Sequence, residues 1–254
     1  MVYMKKSILI LLISSIILMT ACSQKTETSL SVEQPQNIST GDEIYPALNE
    51  NSVEQSTNVN GMRFTITLPE FTQKYNEKLK NIGITDILVT GHWQKNGETQ
   101  RDSNGVEIQY YYYDGININF TATVEVESGK LMNIGCGTTM KNFVAQTDNQ
   151  NNSDLILKKC AVMAEAVCQF PSGSTDVLQD IFYRTTIESI DSLWYQGFIF
   201  SLSTQENKSS VENNIMLFRV FPVTDELKND WNVADYEAYS ASVPIETNAV
   251  SSDE

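Results

Sequence analysis

"ININFTATVEVE", Ile116 to Glu127, alternates apolar and polar side chains along its whole length. In an extended chain Ile116, Ile118, Phe120, Ala122, Val124 and Val126 fall on one side, and Asn117, Asn119, Thr121, Thr123, Glu125 and Glu127 on the other. This period of two predicts a strand with one face in a core and one in water, as in an antiparallel sheet.

Similar patterns predict neighbouring strands over Ile87 to Gln94, Val106 to Tyr113 and Leu131 to Met140. The connection Asp114-Gly115 is an ordinary two-residue hairpin signal. A two-residue loop would set Tyr113 opposite Ile116 and put Val106, Ile108, Tyr110 and Tyr112 on the face of Asn117 and Asn119. One added residue or a bulge aligns that apolar set with Ile118, Phe120 and Val124 instead, so the three-residue or bulged turn is expected. In the next turn, Ser128 to Lys130, Gly129 sits centrally and Met132, Ile134 and Cys136 fall on the core side.

Helices flank this meander. Thr67 followed by Glu70 has capping-box spacing, and Leu68, Phe71, Tyr75, Leu79 and Ile82 recur on one helical face before Gly83, predicting a helix over Leu68 to Ile82. Asp154 to Gln169 is apolar around most of its circumference and predicts a helix buried against the sheet; Asp176 to about Arg184 predicts a shorter one. Trp194 to Thr204 and Asn214 to Phe221 form a second hairpin, matching Phe198, Phe200 and Leu202 with Met216, Phe218 and Val220. The expected fold class is α+β: two layers, an antiparallel sheet with helices packed on one face. This body spans about 62–223, as one domain or two packed helix-plus-meander halves. Residues 224–254 are an acidic tail expected to be largely disordered, with Trp231, Tyr236 and Tyr239 able to pack locally.

The amino-terminal end has a different character. Lys5 and Lys6 precede an apolar run from Ile8 to Met19, then Thr20, Ala21 and Cys22. This is the layout of an export signal over 1–21, shorter than the roughly 20 apolar residues of a permanent span. The sequence Leu18-Met19-Thr20-Ala21-Cys22 resembles the lipobox of bacterial lipoproteins, with Met19 where a leucine is usual. The resemblance implies cleavage between Ala21 and Cys22 and diacylglycerol on the Cys22 sulfur, anchoring the chain to the outer side of the cell membrane. Ser23 to Gly61 is polar and without period, a flexible spacer of about 39 residues with a reach of roughly 35 Å.

Removal of the signal with Lys5 and Lys6 leaves 15 of the 17 basic residues against 32 acidic ones, a net charge of −17. Such a surface repels phosphate backbones and anionic headgroups, so no nucleic-acid partner is expected and membrane attachment is assigned to the lipid. His92 is the single histidine, and no CxxC, HExxH, GxSxG or glycine-rich phosphate loop occurs; no metal, cofactor or catalytic set is predicted. Cys136 is expected on the core face and Cys160 and Cys168 on a buried helix, where thiols are inert. Export permits a disulfide from Cys136 to either of them. Cys160 and Cys168, roughly 12 Å apart along a helix, are not expected to bond each other.

The run Tyr110 to Tyr113 sends two rings to each face of its strand. Tyr111 and Tyr113, with Asn117, Asn119 and Thr121, form the candidate binding surface, although the same run is what a β-favouring strand with a tyrosine pair in the core looks like. The function expected is that of a non-catalytic binding module for an envelope protein or cell-wall component. The alternatives are an envelope hydrolase with a carboxylate-based site, and a solute-capture lipoprotein.

Overall fold

Three helices lie on one side of a broad sheet, and the sequence shows why each forms. The computed structural model describes residues 52–55, 61–115, 117–147, 150–171, 173–187, 190–208 and 210–242, all within the unit Pro46–Glu254. The signal segment, Cys22, most of the spacer and residues 243–254 lie outside the described residues.

Helix α1, Leu68–Asn81, starts at the expected capping box: the Thr67 side chain accepts from the Glu70 N–H, and the Glu70 carboxylate accepts from the Thr67 N–H at 2.8 Å. Its buried stripe is Leu68, Phe71, Tyr75 and Leu79. After the short helix α2, Met140–Val144, helix α3, Asn152–Val167, is buried nearly all round. Helix α4, Thr175–Ile187, covers α3 and the adjoining strands.

Among the described residues thirteen strands are found. β1 (Val53–Gln55) and β2 (Met62–Phe64) pair with each other, so part of the stretch expected to be flexible spacer is a strand; Arg63 binds Glu54 there. β8 (Gln146–Thr147) and β9 (Gln150–Asn151) form a second small pair. The main sheet contains β3 (Gln94–Lys95), β4 (Gln100–Arg101), β5 (Glu107–Tyr113), β6 (Asn119–Glu125) and β7 (Leu131–Thr139). It continues with β10 (Ser192–Tyr195), β11 (Phe198–Gln205), β12 (Ile215–Pro222) and β13 (Ala234–Asp235).

The order is β13-β10-β11-β12-β7-β6-β5-β3, with β4 also on β5, and every pairing is antiparallel except β10 with β13. The α+β expectation is therefore met. The meander β5-β6-β7 and the meander β10-β11-β12 meet last strand to last strand, with Phe218 opposite Cys136. One apolar cluster runs through both and takes in α1, α3 and α4.

Several local expectations need correction. Ile87 to Gln94 is not a strand: the Asn76 amide accepts from the Leu88 N–H at 2.8 Å and donates to the Leu88 carbonyl at 2.6 Å, and Thr90–His92 is a single 3₁₀ turn. A side chain thus takes the place of a ladder partner. The β5–β6 connection is longer than either turn considered, since Tyr113 pairs with Phe120. A register shift between Thr123 and Val124 makes Leu131 the core residue opposite Val124 and leaves Met132 outside the main cluster. The stretch from Trp194 to Thr204 is broken by a tight turn at Gln196 (φ 47°) and Gly197 (φ 84°), both in the left-handed region favoured in two-residue hairpins.

The tail expectation also fails for its first nineteen residues, 224–242, because they have a surface to cover. Helix α5, Asp225–Asp230, lies over the sheet face opposite α1, α3 and α4, with Lys228 Nζ 3.7 Å from the Trp194 ring centre and Trp231 edge-on to Phe221. β13 then crosses the sheet edge, and α6, Tyr236–Ser242, returns to the helix side, where Tyr236 hydrogen-bonds Asp180 at 2.7 Å.

Candidate binding face

The β5–β6 register decides where the sequence-predicted site residues go. With Tyr113 opposite Phe120 and Tyr111 opposite Ala122, both tyrosines face the core. Tyr113 is buried, its ring packs edge-on to Trp93, and its hydroxyl accepts from the Val89 N–H at 3.1 Å. Tyr111 packs against the edge of the same cluster. The candidate surface is thus split: Asn119 and Thr121 lie on the opposite, open face, and the tyrosines beside them are Tyr110 and Tyr112. Asn117 is exposed in the connecting loop, where its carbonyl accepts from the Thr138 hydroxyl; the Asn119 amide oxygen accepts from the Gly115 N–H.

On the open face the ladder places Tyr112, Thr121, Gly135, Arg219, Ser201 and Ser192 in one row across six strands. Gly135 is the floor of this row. A Cβ there would lie 2.7 Å from the Phe218 carbonyl oxygen, 3.0 Å from Arg219 Cγ and 3.2 Å from Thr121 Oγ1, so both side chains already lean over a bare backbone. Tyr110, one pair further along, is half-buried and holds its proton more tightly than a free tyrosine, through burial first and the charge of Asp102 second, with Arg219 opposing. Burial lowers the basicity of Arg219 in turn. α5 and Trp231 cover the row Trp194, Ile199 and Phe221 at one end of this face, where Ile199 is buried, and leave Tyr110, Tyr112, Thr121, Arg219, Ser201 and Ser192 partly exposed.

A second concavity lies on the helix side, a cleft of about 380 Å³ lined by Tyr75, the segment 86–89, His92, Tyr113–Gly115, Phe120 and Lys159. Within it Lys159 Nζ is 2.6 Å from Asp86, and His92 stacks on Tyr113. Burial pushes the Tyr75 hydroxyl well above its usual range. Nearby, Cys136 Sγ is 2.9 Å from Cys160 Sγ, whereas Cys168 is buried without a thiol neighbour, so of the two pairings considered the fold brings together Cys136 and Cys160. Burial raises the pKa of both Cys160 and Cys168, which suppresses the nucleophilic thiolate. The buried carboxylates Glu125 and Glu165 are held by Arg63 and Lys78.

Arg219 had no sequence signal of its own, because a single basic residue in a strand says nothing of its neighbours. The signal that could have found this face was Gly135-Cys136-Gly137, two glycines that put bare backbone on one side of a strand. No family model matches this chain, and comparison with the curated proteins and with the solved structures gives no match.

Proposed function

We propose that this chain is a lipid-anchored extracytoplasmic binding module that engages an envelope protein or cell-wall component through the open face of its sheet. Cys22 carries the anchor, and the residues between it and β1 act as a spacer. The observation that carries the reading is the contrast between the two ends of that face. α5 and Trp231 bury one end against the chain's own residues, while Tyr110, Tyr112, Thr121 and Arg219 at the other combine aromatic surface, a hydroxyl and a cation with nothing from the described chain laid over them. Aromatic side chains and arginine are the residue types that dominate binding energy at interfaces. The suppressed thiols, and the pairing of Lys159 with Asp86 in the helix-side cleft, favour binding over catalysis.

The test is photo-crosslinking in intact cells with a reactive residue at Tyr112 or Thr121, and at the exposed Glu77 on α1 as control. One abundant adduct from the open-face positions and none from Glu77 is the expected result. Equal capture from both sides, or none from either, would refute the reading.

A further inference from the structure

Several lysines and most arginines among the described residues are held by acids. Arg63 is held by Glu54 and Glu125, Lys78 by Glu165, Lys130 by Glu54, Lys159 by Asp86, Arg184 by Asp180 and Lys228 by Asp235. Among the four arginines, with Arg101 paired to Glu107, Arg219 is the exception: half-buried on β12, it has no hydrogen bond or ion pair with any described residue. In a chain with 32 acidic and 17 basic residues, a partly desolvated guanidinium lacking an acid is costly to keep unless something else supplies the anion.

We propose that the open face binds an extended peptide through a carboxylate of that peptide, held by Arg219 above the floor at Gly135. This deepens, and rests on, the binding-module reading. The carboxylate follows from charge and shape. A guanidinium presents a planar fork that a carboxylate meets with two parallel hydrogen bonds, and a single cation balances a single negative charge. A phosphate dianion would be left half-compensated. It would also meet Asp102, whose charge already acts on Tyr110 from the loop beside it, and the field of a strongly acidic protein.

The peptide follows from the length and make-up of the row. Tyr112, Thr121, Gly135, Arg219, Ser201 and Ser192 stand on six adjacent strands, about 24 Å from end to end at roughly 4.8 Å per strand, too long for one small acid. Hydroxyls at Thr121, Ser201 and Ser192 can meet the N–H and C=O groups of a chain laid across them, and the Tyr112 ring offers an apolar stop at one end. Gly135 permits the close approach of Arg219 and Thr121 to the strand: a Cβ there would lie 3.0 Å from Arg219 Cγ and 3.2 Å from Thr121 Oγ1, so only a glycine lets these two side chains lean over β7.

The experiment uses the full chain, purified in detergent and labelled with ¹⁵N-arginine, following the Arg219 Nε–H resonance identified by its loss in Arg219→Gln. The probes are N-acetyl-tetraalanine with a free terminal carboxylate, its carboxamide, acetate and inorganic phosphate. A saturable shift with the free-acid peptide is expected, with affinity lowered at least about tenfold for the carboxamide, for acetate and in Arg219→Lys. Equal binding of the carboxamide would show that no carboxylate is read, and equal binding of acetate that a free small acid is the ligand. Tighter binding of phosphate, or no shift with any probe, would also overturn the proposal. Crosslinks from Tyr112 that persist in Arg219→Gln would sink the carboxylate while leaving the binding face standing; crosslinks absent from the unaltered protein would remove the face itself.

Discussion

Cys136 on β7 and Cys160 on α3 are fully buried with their sulfurs 2.9 Å apart, a distance that needs less than 1 Å of further approach to become a covalent bond of about 2.05 Å. Outside the cytoplasm such a pair can persist oxidised. Treating the protein with oxidised glutathione should therefore link Cys136 to Cys160, two thiols giving up two protons and two electrons to the added disulfide. Peptide mapping after thiol blocking should recover that cross-link with Cys168 as the free thiol; a Cys136–Cys168 link, or full alkylation of all three, would contradict the geometry. The placement of Cys136 on the core side was legible from the alternation of Ile134 and Cys136. Its choice of partner was not, because helical spacing fixes which residues of α3 share a face and not how far along β7 the helix sits.

Elements whose determinants are local were readable in advance, and α1 is the clearest. Its cap, its first-turn acid and its apolar stripe all lie within Thr67–Asn81, so no distant contact is needed to foresee it. Replacing Thr67 with Ala should cost about 1 kcal/mol in urea denaturation. Glu70 adds a pH signature. The Thr67 N–H, then the Thr67 hydroxyl, hold the Glu70 carboxylate below its ordinary value of 4.5. A carboxylate whose pKa is lower folded than unfolded contributes its stability in full above about pH 5, and loses it as the pH falls through the folded value. Glu70→Gln should thus be less stable than the unaltered protein at pH 7, with the gap closing toward pH 3; a gap independent of pH would mean that the charge plays no part. The stretch Ile87 to Gln94 shows the opposite case. Its apolar residues read as a strand, yet Ile87 and Val89 are 50 % and 45 % exposed, because the backbone is claimed by Asn76 twelve residues earlier. The β5–β6 register was hidden for a related reason. Two interleaved apolar sets, Ile108, Tyr110, Tyr112 and Tyr111, Tyr113, compete for the core, and the outcome is set by the fit of Tyr113 against Trp93 and Phe120.

At the scale of the whole molecule the question is whether the two helix-plus-meander halves behave as one body. Their last strands pair from Thr139 opposite Ile215 to Ile134 opposite Val220, and the side chains on the core side of that seam belong to both halves. Phe218 stands at its centre: it is fully buried, opposite Cys136 from the first half, and in ring contact with Phe143 and Phe182. A half separated along this line would expose the apolar face of its own last strand, which neither half has helices enough to cover. Unfolding should therefore be a single transition. Trp93 in the first half and Trp194 in the second can report it separately. Variants in which Trp231 is replaced and only one of these two tryptophans is retained should give coincident urea midpoints, and Phe218→Ala, costing about 3–5 kcal/mol, should lower both midpoints together. Separate midpoints for the two reporters, or a Phe218→Ala shift confined to Trp194, would mean that the halves fold as neighbours and not as one core.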